Sequence, residues 1–209
     1  MKPVCALISA LILSVTLDPA LAQTRSAGGL TFSDELGGFR LISVSGTGSI
    51  LDPIVVVEEI TGIGPVILVI RSRQERSAEG YMITSPAFVS VAVTKIVVNR
   101  SEQIWTGFDL ELREELPTPS SYPDGLSFDQ LGSFDEPMNS DPFTVVERVN
   151  EPYDRVNFYG GNVDPGATAR FNFYITDPTA VPEFYLLQEP HYLISWYMPE
   201  GQRLAATAE

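Results

Sequence analysis

The sequence predicts an all-β protein, an immunoglobulin-like sandwich of two antiparallel sheets, with closure into a barrel left open. Three observations carry that expectation. Apolar residues recur at every second position: Phe108, Leu110 and Leu112 alternate with Asp109, Glu111 and Arg113, and Phe171, Phe173 and Ile175 alternate with Asn172, Tyr174 and Thr176. The 16 glycines and 16 prolines are spread so that, past the first 22 residues, helical spacing of apolar positions is always interrupted. Short β-branched and aromatic runs divided by Gly, Pro, Asn and Asp give about ten strands, a number suited to a sandwich or barrel. Parallel strands normally need long crossovers, often helical, so antiparallel pairing is expected throughout.

Taken in order, residues 1–22 read as a cleaved export signal. Lys2 supplies the positive start, Val4 to Leu17 is apolar, and Ala20-Leu21-Ala22 is a small-residue cleavage site ahead of Gln23. The apolar run is about 14 residues, short of the roughly 20 that span a bilayer. A periplasmic or secreted protein is expected, with no membrane span in the mature chain. The one cysteine, Cys5, falls inside the removed segment, so the mature chain is expected to hold no disulfide and to rely on its core. Residues 23–38 read as a loose leader, 39–198 as a single sandwich domain and 199–209 as a flexible tail.

Within the domain, Phe39 to Ser45 is a strand, followed by a loop through Gly46-Thr47-Gly48 and Asp52-Pro53. Ile54 to Ile60 and Val66 to Arg71 are β-branched runs separated by Thr61-Gly62-Ile63-Gly64-Pro65, which predicts a hairpin. In Phe88 to Val98 both alternating sets are apolar for part of the length, as in a central strand covered on both faces. Asn99 to Gln103 is a polar turn, and the two alternating strands at 108–113 and 171–176 should share one core. Pro117 to Pro142 is too long for a hairpin turn, and Leu126, Phe128, Leu131 and Phe134 are expected to fold back onto the sandwich. Phe143 to Val149, Arg155 to Tyr159, Phe184 to Gln188 and Tyr192 to Trp196 are shorter strands. Gly160-Gly161 marks a bulge or bend, and Pro165-Gly166 suits a type II turn.

Charge excludes some partners. The 13 Lys plus Arg against 27 Asp plus Glu leave a net charge of −14, a surface that repels nucleic acid and anionic lipid. Acid concentrates between Asp109 and Asp154, where twelve carboxylates face only Arg113 and Arg148. A solvated acidic surface is the plain reading. His191 is the single histidine, and no Gly-x-Ser-x-Gly elbow accompanies it, so a structural or surface role is expected. Zinc lacks its usual nitrogen and sulfur ligands. Calcium is the cofactor the composition admits, with Asp124, Asp129, Asp135, Glu136 and Asp141 as candidate ligands in the long loop. Adjacent acids such as Glu58-Glu59 point to opposite faces of a strand, so a hydrolytic pair would have to come from separate loops. Trp105 and Trp196 are candidate stacking platforms for a sugar, though Trp105 at a strand start also suits the core.

The stretch Gly46-Thr47-Gly48 through Asp52-Pro53-Ile54-Val55-Val56-Val57-Glu58-Glu59, the Val98-Asn99 turn leading to Trp105, and Asp154-Arg155-Val156-Asn157-Phe158 with Gly160 to Gly166 resemble exported bacterial β-sandwich proteins of unassigned function. These are strand and turn motifs, so the resemblance implies a fold and an address and transfers no catalytic residue. The expectation is a non-enzymatic structural, adhesive or assembly component of the cell envelope that contacts an envelope protein or a glycan. Alternatives are a carbohydrate-binding module with a loop calcium site, and a loop-carboxylate glycoside hydrolase.

Overall fold

The computed structural model describes residues 22–72, 75–76, 82–83, 89–120, 124–129, 132–149 and 153–192. Residues 1–21 of the expected signal segment 1–22, and the tail 199–209, lie outside them. In chain order the strands are β1 (Thr24–Ala27), β2 (Leu30–Ser33), β3 (Phe39–Ser45), β4 (Ile54–Ile60), β5 (Val66–Ser72), β6 (Glu75–Arg76), β7 (Met82–Ile83), β8 (Val89–Asn99), β9 (Trp105–Arg113), β10 (Asn139–Ser140), β11 (Val145–Val149), β12 (Arg155–Val163), β13 (Thr168–Asp177) and β14 (Glu183–Tyr192). A seven-stranded sheet runs β1-β2-β5-β14-β9-β12-β11, and a five-stranded sheet runs β10-β13-β8-β4-β3; β6 and β7 pair separately. Both main sheets are open, and they pack face to face as the two-layer all-β sandwich that the alternation predicts.

Three local expectations are revised. Segment 23–38 is no loose leader: β1 and β2 form a hairpin, and β2 docks on β5 through Leu30↔Ser72 and Phe32↔Ile70. Its anchor is apolar, because Leu30 and Phe32 are buried. The runs at 54–60 and 66–72 form no hairpin either. β4 lies in the five-stranded sheet and β5 in the other, each turning its alternate apolar residues, Ile54, Val56 and Ile60 against Val66, Leu68 and Ile70, into the common core. The glycines and proline of 61–65 therefore carry the chain between layers. That crossing also allows one parallel pair, β4 with β8, with no crossover helix among the described residues. β5 returns the chain through the opposite sheet, so β8 comes back beside β4 in the same direction.

The expectation for β9 and β13 holds. Phe171 on β13 meets Phe108 on β9 with ring centroids 4.8 Å apart, and Phe158 on β12 at 4.9 Å. Phe143 stacks on the same ring at 6.0 Å. From the long loop, Leu126 and Phe128 enter the core, where Phe128 sits edge-on to Phe173 at 5.7 Å. Phe134 instead stacks on Tyr174, on the outer face of the five-stranded sheet, at 4.1 Å; Leu131 lies outside the described residues.

The corners are polar and specific. Asn99 is wholly buried: its amide donates to the carbonyls of Gln103 and Val163, and its Oδ1 accepts from the Ser101 amide and hydroxyl. The 99–103 turn thereby carries β8 over to β9 in the other sheet. Gly166 has φ +83°, and the Ala167 amide donates to the Asp164 carbonyl at 2.9 Å, the type II geometry expected of Pro165-Gly166. Between Tyr159 and Val163 the β12–β9 register shifts, placing a bulge at Gly160-Gly161 as expected.

Because Phe171 contacts three rings from three other segments, Phe171→Ala is expected to destabilise the fold by about 3–5 kcal/mol. Urea unfolding followed by tryptophan fluorescence checks this, Trp105 being a core reporter.

Candidate functional site

Alternation that buries Phe108, Leu110 and Leu112 must turn Asp109, Glu111 and Arg113 to the outer face of the seven-stranded sheet. Register then adds partners. β14 sets Glu189 opposite Asp109 and His191 opposite Gly107, and β12 sets Arg155 opposite Glu111. Three strands thus bring five ionisable side chains, Asp109, Glu111, Arg113, Arg155 and Glu189, around a hollow of about 200 Å³, with Pro65 and Leu187 on its wall and His191 against Asp109 beside it.

The charges are interlocked. Arg155 Nη2 donates to Glu111 Oε2 at 2.6 Å and its Nη1 lies 3.6 Å from Asp109 Oδ2. Arg113 Nε donates to Glu111 Oε1 at 2.6 Å and its Nη1 to the Leu116 carbonyl. His191 Nε2 lies 3.0 Å from Asp109 Oδ2. Glu111 therefore has an arginine on each oxygen, whereas Asp109 has both partners on Oδ2. Its Oδ1 is buried without a hydrogen bond. Burial pushes the Asp109 carboxyl above its ordinary value, and His191 and Arg155 pull it part of the way back. Gly107 provides the seat for the imidazole, since a Cβ there would stand 3.2 Å from His191 Nδ1 and 3.1 Å from the Phe158 carbonyl. At the rim, the Arg155 guanidinium lies over the exposed Tyr153 ring at 5.8 Å.

Asp109 Oδ1 is closed to solvent, so the part of the network that a ligand can reach is its rim, formed by Glu189, Arg155 and His191. Among the described residues no hydroxyl hydrogen-bonds the His191 ring.

The residues singled out from sequence lie elsewhere. Trp105 is completely buried, its ring 5.5 Å from Phe108 and its Nε1 donating to Ser101 Oγ, so it presents no stacking face. Trp196 lies outside the described residues. The acidic-loop candidates serve local turns: Asp124 accepts from Ser120 Oγ and the Leu126 amide, Asp129 from the amides of Ser133 and Phe134, and Asp141 from the Arg170 amide. Asp135 and Glu136 line a separate shallow hollow with Arg148 and Tyr174. Among the described residues no three acidic or histidine side chains are placed to hold a metal ion. A groove of about 800 Å³ runs between the start of the described chain and β3. Its one buried acid, Asp34, is already engaged by the amides of Gln23 and Leu41.

The site was missed in sequence because register was unknown. Asp109, Glu111 and Arg113 were legible as a wet face and His191 as a lone imidazole, but nothing in spacing placed residue 191 beside 109 or 155 beside 111. Comparison of the chain with protein-family models, curated proteins and solved structures finds no match. No helix among the described residues is long and apolar enough to cross a membrane.

A second acidic group gives a pH signature. Just past the end of β9, Glu114 is pushed up to about 7 by burial and by the nearby carboxylates of Asp124, Asp177 and Glu115. The folded state then holds a proton that the unfolded chain, at the ordinary 4.5, has released. Stability is expected to fall as pH rises from 4.5 to about 7. In differential scanning calorimetry, Glu114→Gln should match the parent near pH 4.5 and melt higher than it above about pH 7.

Proposed function

We propose that this is an exported, non-enzymatic sandwich that serves as a structural, adhesive or assembly component of the cell envelope, contacting a protein partner through the outer face of its seven-stranded sheet. The observation that carries the reading is a hollow on this face in which Glu111, Arg113, Arg155 and His191 are held by one another or by Asp109, while Glu189 stands exposed on its wall. Side chains that hold one another lose little freedom on association, so such a surface is prepared for contact. Charge placed this way sets orientation and selectivity more than raw affinity. The fitting occupant is a lysine or arginine side chain of the partner, since it can reach the exposed Glu189 carboxylate and complements the acidic surface.

A photo-crosslinker placed at Tyr159, exposed on this face, is expected to capture one defined envelope protein. The same group at Arg170, on the outer face of the other sheet, should not. Glu189→Gln should lower capture about tenfold or more, the loss of one charge-assisted bond. Equal capture from both positions, or capture indifferent to Glu189, would count against the reading.

A glycan ligand is the second reading, favoured by the exposed rings of Tyr153 and Tyr159 beside Arg155. Glycan-array binding that disappears in Tyr159→Ala, with the melting temperature unchanged, would select it over a protein partner.

A further inference from the structure

The core holds a polar group that neither the packing nor the outer face uses. Glu58 on β4 and Lys95 on β8 both point inward, and their side chains are 0% and 1% exposed. Lys95 Nζ lies 2.6 Å from Glu58 Oε2. From the opposite sheet Gln188, also 0% exposed, donates its Nε2 to the same oxygen at 3.4 Å. Three atoms are left over: Glu58 Oε1, Gln188 Oε1 and Lys95 Nζ have no further hydrogen-bond partner. The strand neighbours are apolar, with Phe171 paired beside Lys95, Leu41 beside Glu58, and Val66 and Leu110 beside Gln188, and the one further charge acting on Glu58 is the carboxylate of Asp34, which pushes it further toward its neutral form.

As an ion pair this arrangement is unfavourable, because desolvating two charges costs several kcal/mol each and one contact leaves most of the donors and acceptors unused. Burial pushes Glu58 up and Lys95 down, so both are driven toward their neutral forms. An amine and a carboxylic acid held in contact in a water-poor cavity are the reactants of amide formation, already positioned.

We propose that, after folding, Lys95 and Glu58 condense into an intramolecular amide between Lys95 Nζ and Glu58 Cδ, tying β4 to β8 through the core. The ammonium first gives a proton to the carboxylate. The amine lone pair then forms the N–C bond at Cδ, the C–O bond of the carboxyl hydroxyl breaks, and that hydroxyl leaves with a second amine proton as water. No oxidant or co-reactant enters, and two charges are removed.

The product also accounts for the leftover atoms. One Glu58 oxygen departs, the remaining carbonyl takes the Gln188 Nε2 donor, and the single new N–H has Gln188 Oε1 as its acceptor. Gln188 is thus a positioning residue, holding the carbonyl that the amine attacks. The location has a mechanical reason as well. β3 and β4 join the five-stranded sheet only through the parallel β4–β8 ladder, and the mature segment carries no cysteine that could pin them. A covalent tie there fastens the whole β3–β4 hairpin.

The test is the mass of the purified full chain under denaturing conditions, referred to its experimentally determined N-terminus. The expected result is a deficit of about 18 Da, one water. Trypsin should fail to cleave after Lys95 and yield a branched peptide joining residues 41–71 to 77–100. Lys95→Met should restore the sequence mass. A parent chain at its full sequence mass with normal cleavage at Lys95 would overturn the proposal. So would a deficit that persists in Lys95→Met. A deficit of about 17 Da, with the branch at Gln188, would mean ammonia loss from the carboxamide and would overturn Glu58 as the acyl donor.

Discussion

The constraint on which the rest of this molecule depends is the interlocking of aromatic rings between the two sheets. Phe171 projects from the five-stranded sheet among Phe108, Phe143 and Phe158, and Trp105 and Phe128 extend the contact toward the two ends. Because close-packed rings resist sliding, this seam fixes the separation and angle of the sheets. It also fixes which strand positions face outward. A slip of one residue in β9 would turn Asp109, Glu111 and Arg113 into the core and expel Phe108, Leu110 and Leu112. The outer-face network thus exists because the inner face cannot move.

That coupling explains the character of the candidate site. Its side chains come from the strands β9, β12 and β14 rather than from loops, so their backbone positions are set by hydrogen-bonded ladders on both sides. Local irregularities refine it. Gly107 leaves room for His191, and the β9–β14 register shifts between His191 and Tyr192, where the strands would otherwise continue past the site. The site is held rigidly by its scaffold, yet Glu189 and His191 stand exposed at its rim, a combination suited to recognising a charged group in one orientation.

How much of this was legible in sequence follows from which forces are local. Alternation is local, so the all-β class, the inward faces of β9 and β13 and the entry of Leu126 and Phe128 into the core could all be read from spacing. Turn chemistry is local too, and Pro165-Gly166 and the bulge at Gly160-Gly161 behave as their residues require. Pairing is not local. Ile54 to Ile60 and Val66 to Ser72 look like two arms of a hairpin, because a five-residue Gly/Pro turn can either reverse the chain within a sheet or carry it across a core. Which one occurs depends on Leu41 and Lys95 flanking Glu58's strand on one side and Leu186 flanking β5 on the other. The segment 23–38 misled for a similar reason. Its Gly-rich start reads as loose, and only the distant partner β5 makes Leu30 and Phe32 core residues. Trp105 could be read as a core plug; that His191 meets Asp109 across 82 residues could not.

The choice of base in each ionic group reflects its surroundings. On the outer face the cations beside Glu111 are arginines, whose planar forks satisfy two carboxylate directions and remain charged at a half-wet surface. Water and neighbouring charges there keep the cost of ionisation low, so Arg155 and Arg113 act as braces. In the core the cation is a lysine, a compact amine that gives up its proton when desolvated, and it stands beside an acid that burial drives to accept one. An arginine at position 95 would keep its charge and leave Glu58 as a permanent, poorly satisfied ion partner. Lysine is the base that lets the core discharge itself, first by moving a proton and then, once amine and acid are in contact, by forming a bond that needs no charge at all.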